Sequence, residues 1–441
     1  MKILVTWVGP WLDKGEAAMI ISTAKALRER IPNVSITSLT AYLPQEIDIH
    51  KYSKYDLKVL PGLIQRIWHA APMLDFLKFK VLKALPYIII LLEPMIRYTV
   101  WALLYRVLRI DAEFIIKDNK DTIREYKDAD WIIFCGGQYI TDVDAGLLIA
   151  LYEIIFSKIL GKSVMLYAQS FGPFNQKYAQ PLIKTILNKV DLITTREGIS
   201  KRYLKDIGVT APTFVTADAA FTLSSISREK AIALIERETE IPKDELMVGI
   251  TVIPWRSPGE EGSANKKFEN YLEATAGAID YIITKLNAHV IFFPQVILPP
   301  TKDDRPISVK VFNKIKNKSK VTVLTDDYTP EQIKGMYGCM NLFIGTRFHS
   351  CILAQSMNVP TIAIEYDGHK ALGIMRLLEL EDYVCDINTI VTHELISKID
   401  KIWVERDEVK KKLEKNVRVM QAKSMDNVRL AVEYLGLQET P

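Results

Sequence analysis

The sequence has few cysteines and histidines, and neither type is spaced for a metal site or a disulfide framework. The four cysteines, Cys135, Cys339, Cys351 and Cys385, form no Cys-x-x-Cys pair, and Cys/His zinc spacing is absent. We therefore expect reduced cysteines in apolar cores, a reducing compartment and no catalytic metal or other cofactor.

Signals for nucleic acids, bound dinucleotides and membrane-spanning helices are also missing. The formal net charge is only +4 over 441 residues, without a Lys/Arg block, which argues against a nucleic-acid partner. Neither G-x-G-x-x-G nor G-x-x-x-x-G-K-S/T occurs. No uncharged run approaches the roughly 20 residues of a spanning helix, and Lys2–Val5 opens as a strand without a signal-peptide layout. These absences predict a cytoplasmic protein, free or associated with the inner face of the cytoplasmic membrane.

The chain alternates short apolar runs with helical patterns, which predicts an α/β fold with two parallel sheets. A content of 49% hydrophobic residues supports sizeable cores, and the length suits two domains. We predict an N-terminal Rossmann-like domain over 1–225, a C-terminal one over 226–395, and closing helices over 396–441. The polar stretch Ser224–Ser227 marks the boundary.

An apolar insertion at about 60–110 interrupts the first domain. Ala84–Leu92 and Tyr98–Tyr105 carry no charge, and the flanking cations are Lys78, Lys80, Lys83, Arg106 and Arg109. This pattern suits a helical hairpin lying in a membrane interface through about Leu63–Leu108. It equally suits an insertion packed on the domain or in a homo-oligomer interface, so both interpretations stay open.

Several strands of the first half end in small or polar residues. Gly136, Gly137 and Gln138 follow the strand Asp128–Phe134, with Asp142 just beyond; Gln169 and Arg196 end the next two strands. Ligands bind outside the carboxyl ends of the strands in open α/β sheets, and glycines allow a close backbone approach. Lys14, Gly15 and Glu16 start the first helix. We expect these residues to line a cleft.

The sharpest candidate in the second half is Arg347 with His349. They stand between the predicted strand Leu342–Ile344 and a helix over Ser350–Met357. An arginine at a strand end can clamp a carboxylate or phosphate, the helix N-terminus favours the same charge, and a histidine suits proton transfer near neutral pH. The alternative is a surface arginine beside a structural histidine.

Other polar residues follow strands of this half. Thr346 and Ser350 flank the same turn, and Arg256 and Gln295 end two further strands. Asp303-Asp304 and Asp326-Asp327 are acid pairs that suit either a divalent ion or solvated turns.

Six motifs lie at strand ends or helix starts: Lys14-Gly-Glu-Ala-Ala18, Gly136-Gly137, Gln169-Ser-Phe-Gly-Pro173, Thr195-Arg-Glu197, Asp218-Ala-Ala-Phe221, and Arg347-Phe-His349 with its Leu-Ala-Gln-Ser-Met-Asn-Val-Pro tail. Together they resemble the polysaccharide pyruvyl transferase family over residues 1 to about 375. The Arg-Phe-His block is the most specific motif. Three positions depart from the family's usual pattern: Asp13 and Glu16 stand where Asn and Asp are usual, and Gln138 stands where a third glycine is often found.

The resemblance implies a fold like that of the second large glycosyltransferase class (GT-B), with two Rossmann-like domains facing across a cleft. It also implies phosphoenolpyruvate as co-substrate and a glycan or lipid-linked glycan as acceptor, joined as a cyclic pyruvate ketal. The site residues carried by the resemblance and the strand ends fall into three groups: catalytic His349, Arg347 and Asp142; donor-binding Arg196, Arg256, Thr346, Ser350 and Gln295; and acceptor-binding Lys14, Gly15, Glu16, Gly136, Gly137, Gln138 and Gln169.

Two alternatives remain open. A nucleotide-sugar glycosyltransferase of the same architecture needs an acid for the ribose hydroxyls, for which Glu365 is the candidate. A catalytically silent glycan-binding module does not need the Arg347 and His349 pair. The acceptor sugar, the hydroxyls joined and the oligomeric state are not defined by the sequence.

Overall fold

The computed structural model describes residues 1–40, 42, 48–64, 81–142, 146–242, 245–255, 261–298, 302–366, 368–434 and 436. The chain forms two compact units. The first comprises Met1–Trp11, Met19–Ala219 and Lys423–Pro441, and the second comprises Leu12–Ala18 and Ala220–Ala422. Two segments are therefore grouped away from their neighbours in sequence, Leu12–Ala18 and Lys423–Pro441. The predicted division into 1–225, 226–395 and 396–441 places neither of these two segments with the unit to which it is grouped.

The first unit is built on a parallel sheet of seven described strands in the order β3-β2-β1-β4-β5-β6-β7. Its central strands are buried along their length, as expected of a sheet covered on both faces. The strands are β1 (Lys2–Val8), β2 (Ser35–Thr40), β3 (Lys58–Pro61), β4 (Trp131–Phe134), β5 (Ser163–Gln169), β6 (Leu192–Thr195) and β7 (Thr213–Val215). The helices are α1 (Lys14–Arg30, beginning in the second unit), α2 (Val81–Val107), α3 (Lys120–Asp128), α4 (Leu147–Ile159), α5 (Gln180–Leu187) and α6 (Gly198–Asp206).

The second unit has a parallel sheet of six described strands, β12-β9-β8-β13-β14-β15, and a small antiparallel pair, β10-β11. The strands are β8 (Met247–Thr251), β9 (His289–Phe292), β10 (Ile297–Leu298), β11 (Lys302–Asp303), β12 (Val321–Val323), β13 (Leu342–Gly345), β14 (Thr361–Glu365) and β15 (Val384–Asp386). The helices are α7 (Arg228–Glu238), α8 (Glu261–Tyr281), α9 (Asp304–Lys314), α10 (Pro330–Tyr337), α11 (Phe348–Gln355), α12 (Lys370–Leu377), α13 (Thr392–Val404) and α14 (Arg406–Tyr434).

The strand order reverses once in each large sheet, between β1 and β4 in the first unit and between β8 and β13 in the second. Such a reversal leaves a crevice at the carboxyl ends of the two central strands, where open α/β sheets bind ligands. The two sheets confirm the predicted pair of Rossmann-like α/β domains. They also identify two places for a site: the loop after β4 and the turn after β13.

The long helix α2 lies within the predicted apolar insertion. Its side chains Tyr98, Trp101 and Ala102 are buried in the core of the first unit. Residues 65–80 of the predicted insertion fall outside the described residues, so a helical hairpin there stays a prediction. In the part of the chain that the structure describes, no helix combines the length and the apolar character needed to cross a membrane.

Candidate active site

The turn between β13 and α11 carries Arg347 and His349. Arg347 occupies the N-cap position in extended backbone (φ −74°, ψ 124°), and α11 begins at Phe348. The helix therefore starts two residues before the predicted Ser350 and includes His349 in its first turn. This confirms the predicted strand, turn and helix, with a shifted boundary.

Buried hydroxyl groups hold this turn. Ser350 Oγ donates to the Arg347 carbonyl oxygen at 2.6 Å and lies 2.8 Å from Thr251 Oγ1. Thr346 Oγ1 lies 3.0 Å from the hydroxyl of Tyr271. Burial raises the pKa of that tyrosine above its ordinary value, so its hydroxyl stays protonated. Thr346 and Ser350 thus support the turn, and their predicted donor-binding role stays a prediction.

The Arg347 guanidinium is paired with the fully buried carboxylate of Asp304. Nε lies 3.1 and 3.2 Å from the two carboxylate oxygens, and Nη2 lies 2.5 Å from Oδ1. The third nitrogen, Nη1, makes no hydrogen bond within the described residues, and the side chain is 15% exposed. The planar two-point contact fixes the orientation of the guanidinium. Asp304 is the partner that the sequence did not identify.

Burial and ion pairing shift the pKa values of Asp304 and Arg347 in opposite directions. Burial raises the pKa of the Asp304 carboxyl to about 6, against the opposing effects of Arg347 and of the hydrogen bond from the Val296 N–H at 2.9 Å. Burial alone would lower the pKa of Arg347, but the Asp304 carboxylate holds it above its ordinary value. Both groups are therefore charged at neutral pH.

His349 packs against the first turn of α1, at a position where only glycine fits. A Cβ atom added to Gly15 would lie 2.3 Å from Nδ1 and 2.4 Å from Cγ of His349. Asp13 caps this turn by accepting hydrogen bonds from the Gly15 and Glu16 N–H groups at 3.1 and 3.2 Å. The imidazole is thus held beside the positive end of a 17-residue helix.

Lys14 and Gln295 complete this cluster. The Lys14 ammonium is buried and paired with Asp327, and its backbone N–H donates to the Gln295 carbonyl oxygen at 3.1 Å. Gln295 Oε1 accepts a hydrogen bond from the Tyr337 hydroxyl at 2.7 Å, but its buried Nε2 has no partner within the described residues. Buried amide groups are normally satisfied, so this nitrogen calls for an acceptor such as a ligand oxygen.

The structure therefore gathers six predicted site residues in the second unit around Arg347 and His349. They are Lys14, Gly15 and Glu16, predicted to bind the acceptor, and Gln295, Thr346 and Ser350, predicted to bind the donor. Arg256 lies outside the described residues.

Three acids of the Asp303-Asp304 and Asp326-Asp327 pairs form ion pairs with cations. Asp303 caps α9 and pairs with Arg305 at 2.7 Å, Asp304 binds Arg347, and Asp327 binds Lys14. Within the described ranges, no group of three or more His, Cys, Asp or Glu residues is arranged to hold a metal ion.

In the first unit, the loops after β4 and β5 are joined by hydrogen bonds. The Ser170 N–H donates to the Gly137 carbonyl oxygen at 2.8 Å, and Gln138 Nε2 donates to the Gly172 carbonyl oxygen at 2.7 Å. At the far end the Gln176 N–H donates to Asp142 Oδ2. We call residues 135–142 and 169–176 the paired loops.

The glycines of the paired loops are required by packing. A Cβ on Gly137 would lie 2.2 Å from the ring of Tyr139, and one on Gly136 would lie 3.1 Å from the Ala168 carbonyl oxygen. Gln169 Nε2 donates to the Cys135 carbonyl oxygen at 2.7 Å. The Tyr139 hydroxyl donates to the Gly136 carbonyl oxygen at 2.5 Å. The carbonyl oxygens of the turn are thus held by the protein.

Two acceptor atoms in the paired loops receive no hydrogen bond from the described part of the chain. Asp142 Oδ1 and Gln169 Oε1 are buried and have no hydrogen-bond partner among the residues that the structure describes. A buried oxygen without a donor destabilises the fold unless water or a ligand supplies the hydrogen bond. Sugar hydroxyls are suitable donors. Asp142 and Gln169 were predicted as site residues, whereas the packing of Tyr139 on Gly137 was not.

Arg196 lies in the first unit and is fully buried. Its Nε donates to Ser170 Oγ at 2.7 Å, and its Nη1 donates to the buried carboxylate of Asp218 at 2.7 Å. The predicted motifs around Ser170, Arg196 and Asp218 therefore form one structural ion-pair network. Its donor-binding role stays a prediction.

Comparisons with known proteins agree with the motifs. A family model described as polysaccharide pyruvyl transferase matches residues 14–368. Amylovoran biosynthesis protein AmsJ of Erwinia amylovora is 23% identical over 309 residues, which cover 67% of this chain and 70% of that protein.

Solved structures share the fold at low identity. UDP-GlcNAc 2-epimerase of Neisseria meningitidis, bound to UDP-GlcNAc, has a TM-score of 0.59 at 11% identity and covers 98% of this chain and 100% of its own. A glycosyltransferase of Rickettsia africae has a TM-score of 0.57 at 14% identity and covers 98% of both chains. These similarities establish the two-domain fold alone.

Proposed function

The chain belongs to the polysaccharide pyruvyl transferase family, and we propose that it transfers the pyruvyl group of phosphoenolpyruvate to a sugar of a cell-surface polysaccharide or its lipid-linked precursor. As a member of that family it is a transferase of polysaccharide biosynthesis. The proposed product is a cyclic ketal, and the proposed leaving group is inorganic phosphate. Because the transfer involves no net oxidation or reduction, the proposed reaction needs no redox cofactor.

The observation that supports this proposal is the cluster around the turn after β13. Phosphoenolpyruvate carries a carboxylate and a phosphate on one carbon, so its site needs fixed cations and hydrogen-bond donors. The second unit supplies the oriented guanidinium of Arg347 and the buried Nε2 of Gln295, which has no partner among the described residues, and it places His349 beside Gly15. The proton carrier thus adjoins donors that suit an anionic three-carbon substrate.

The proposed chemistry balances two sugar hydroxyl protons against two acceptors. One proton reaches the methylene carbon of phosphoenolpyruvate, which becomes a methyl group and leaves an oxocarbenium-like centre at the adjacent carbon. One hydroxyl attacks that carbon, the carbon–oxygen bond to phosphate breaks, and the second hydroxyl closes the ring. The second proton leaves on the phosphate. We assign the delivery of a proton, to the carbon or to the departing phosphate, to His349.

We assign sugar binding to the paired loops. The unpartnered oxygens of Asp142 and Gln169 suit hydroxyl donors, and Asp142 is the candidate base for a hydroxyl proton. Glu16 is a second candidate base. Arg347 would stabilise the charge that builds on the leaving phosphate.

Incubation with phosphoenolpyruvate and a panel of glycans tests the reaction class. We expect acceptor-dependent release of phosphate and a mass gain of one pyruvyl group on the glycan by mass spectrometry. Release of a nucleoside diphosphate from a nucleotide sugar, with no turnover of phosphoenolpyruvate, would instead establish the glycosyltransferase alternative.

Replacing His349 tests the proton donor. General acid–base groups contribute about 10²–10⁴-fold, so His349→Ala should lower kcat by that factor with the fold intact. His393→Ala, at an exposed position of α13, is the matched control and should keep full activity. Wild-type kcat in His349→Ala would remove this residue from the mechanism.

A further inference from the structure

The helix α2 exposes a continuous apolar stripe in addition to its buried face. Leu92, Ile96, Val100, Leu103 and Val107 follow at intervals of four, four, three and four residues, and all are exposed. This spacing places them along one side of a helix. The opposite side, with Tyr98, Trp101 and Ala102, is buried in the core. The described part of α2 is therefore apolar on two faces, a pattern of helices that are buried or in contact with lipid.

The stripe continues past the end of α2, and we define the tip as the last two helical residues and those that follow, Arg106–Ile110, together with Phe114. Val107 is 67% exposed, Leu108 60%, Ile110 52% and Phe114 85%. Leu148, at the start of α4, is also exposed. Large apolar patches are uncommon on monomeric proteins and mark interaction surfaces.

The charges beside the tip are not neutral overall. Asp111 pairs with Lys127, and Glu113 pairs with Arg124. Arg106 and Arg109 are exposed and form no ion pair within the described ranges. The tip therefore presents two arginines interleaved with Val107, Leu108 and Ile110, an arrangement that complements an anionic surface with an apolar interior.

The backbone at Arg109 supports a functional interpretation. The Leu104 carbonyl oxygen accepts hydrogen bonds from the Leu108 and Ile110 N–H groups, both at 3.1 Å, which closes the helix end. Arg109 has a φ of 61°, in the left-handed region that favours glycine at such helix ends. An arginine here is strained, and strained residues cluster at functional sites.

We propose that the stripe of α2 and the tip dock this protein on a bilayer containing anionic lipids, parallel to the membrane surface. The apolar side chains enter the boundary between headgroups and acyl chains, and the two arginines contact the phosphate-bearing headgroups. Binding to a surface, rather than insertion across it, suits a helix of this kind. The attachment goes beyond the proposed transfer and is measured without it.

Vesicle flotation of the full-length protein tests this docking. We expect co-flotation with vesicles of phosphatidylcholine and phosphatidylglycerol, weakening as salt is raised, and much weaker co-flotation with phosphatidylcholine alone. Arg109→Gly should bind about fivefold more weakly, because one basic residue near an anionic leaflet contributes about 1 kcal/mol. The same variant should fold at least as well as wild type, since glycine relieves the strained φ.

Matched variants separate docking from general effects of charge. Val107→Glu should abolish co-flotation, whereas Val404→Glu should not; both valines are exposed last residues of a helix. Arg376→Gln, at an exposed arginine of α12, should bind as wild type.

Three results would overturn the proposal: no co-flotation of the wild type, equal co-flotation of Val107→Glu and wild type, or a wild-type dimer in light scattering that Val107→Glu dissociates. The last result would assign the stripe to a second copy of the chain. Phosphate release with a soluble acceptor should be unchanged in Val107→Glu and Arg109→Gly, so a failed transferase assay and a failed docking assay are distinguished.

Discussion

At the scale of single residues, the turn after β13 depends on a buried carboxylate that orients a partly buried guanidinium. Asp304 is fully buried and contacts two nitrogens of Arg347. A carboxylate in such a place requires compensation, because desolvation of a charge costs several kcal/mol. The same contact keeps the guanidinium in one orientation, so that stability and function depend on one pair.

Removing Arg347 should therefore lower both stability and activity. Arg347→Ala leaves the Asp304 carboxylate buried without its partner, and the free energy of unfolding should fall by about 3–5 kcal/mol at pH 8. The loss should be smaller at pH 5, because burial already raises the pKa of Asp304 to about 6 and loss of the guanidinium raises it further, so the carboxyl is protonated. Urea unfolding at the two pH values measures the difference.

Two further variants separate the structural role of Arg347 from its catalytic role. Asp304→Leu combined with Arg347→Met should recover most of the stability but none of the activity, since an apolar pair can replace a buried ion pair. Arg376→Ala removes an exposed arginine and serves as the control. If Arg347→Ala were as stable as this control at pH 8, the pair would not have the stabilising role inferred here.

At the scale of elements, the first turn of α1 and the first turn of α11 meet at one glycine. The local pattern around Lys14-Gly15-Glu16 predicts a helix start but not its neighbour. Only the fold shows that His349 occupies the space beside Gly15. The glycine is thus required by contact rather than by backbone conformation.

A methyl group at position 15 should displace the imidazole. Because displacements of about 1 Å can reduce rates by roughly 10²-fold, Gly15→Ala should lower kcat by about that factor. Gly198→Ala is the matched control, since Gly198 also lies in the first turn of a helix and a Cβ there meets no atom within 4 Å. Steady-state kinetics should show little further loss of kcat when Gly15→Ala is added to His349→Ala, since both substitutions act through the His349 imidazole. If the losses of kcat were additive, Gly15 would act independently of His349.

At the scale of the whole molecule, stability depends on each unit's buried charges. Lys334 on α10 is 3% exposed, and its ammonium donates to the Leu223 carbonyl oxygen at 2.6 Å. Burial lowers the pKa of Lys334 to about 8 from an ordinary 10.5. The unfolded chain therefore binds more protons than the folded chain between these values, and the free energy of unfolding should rise with pH across that window.

Replacing this lysine should stabilise the second unit at neutral pH. The lowering of the Lys334 pKa from 10.5 to about 8 corresponds to about 3 kcal/mol. Loss of the hydrogen bond to the Leu223 carbonyl oxygen offsets about 1 kcal/mol of this gain. Lys334→Met should thus raise the free energy of unfolding by about 2 kcal/mol at pH 7 and abolish its rise between pH 8 and 10.5. Lys310→Met, at an exposed position of α9, should do neither. Denaturant unfolding, monitored by hydrogen exchange of the second unit, measures the free energy of unfolding at pH 7 and its change with pH.

The sequence by itself determined the α/β class, most strand positions and the turn that carries Arg347 and His349. Those features follow from local periodicity, capping residues and chain breaks, which act over a few neighbouring residues. The tertiary structure alone decided that Leu12–Ala18 belongs with the second unit, that Asp304 is the partner of Arg347, and that Arg196 is paired with Asp218. The sequence holds 53 acidic residues, and which of them meets a given arginine depends on the order of strands within each sheet. That order is set by packing between segments far apart in the chain, which no local pattern encodes.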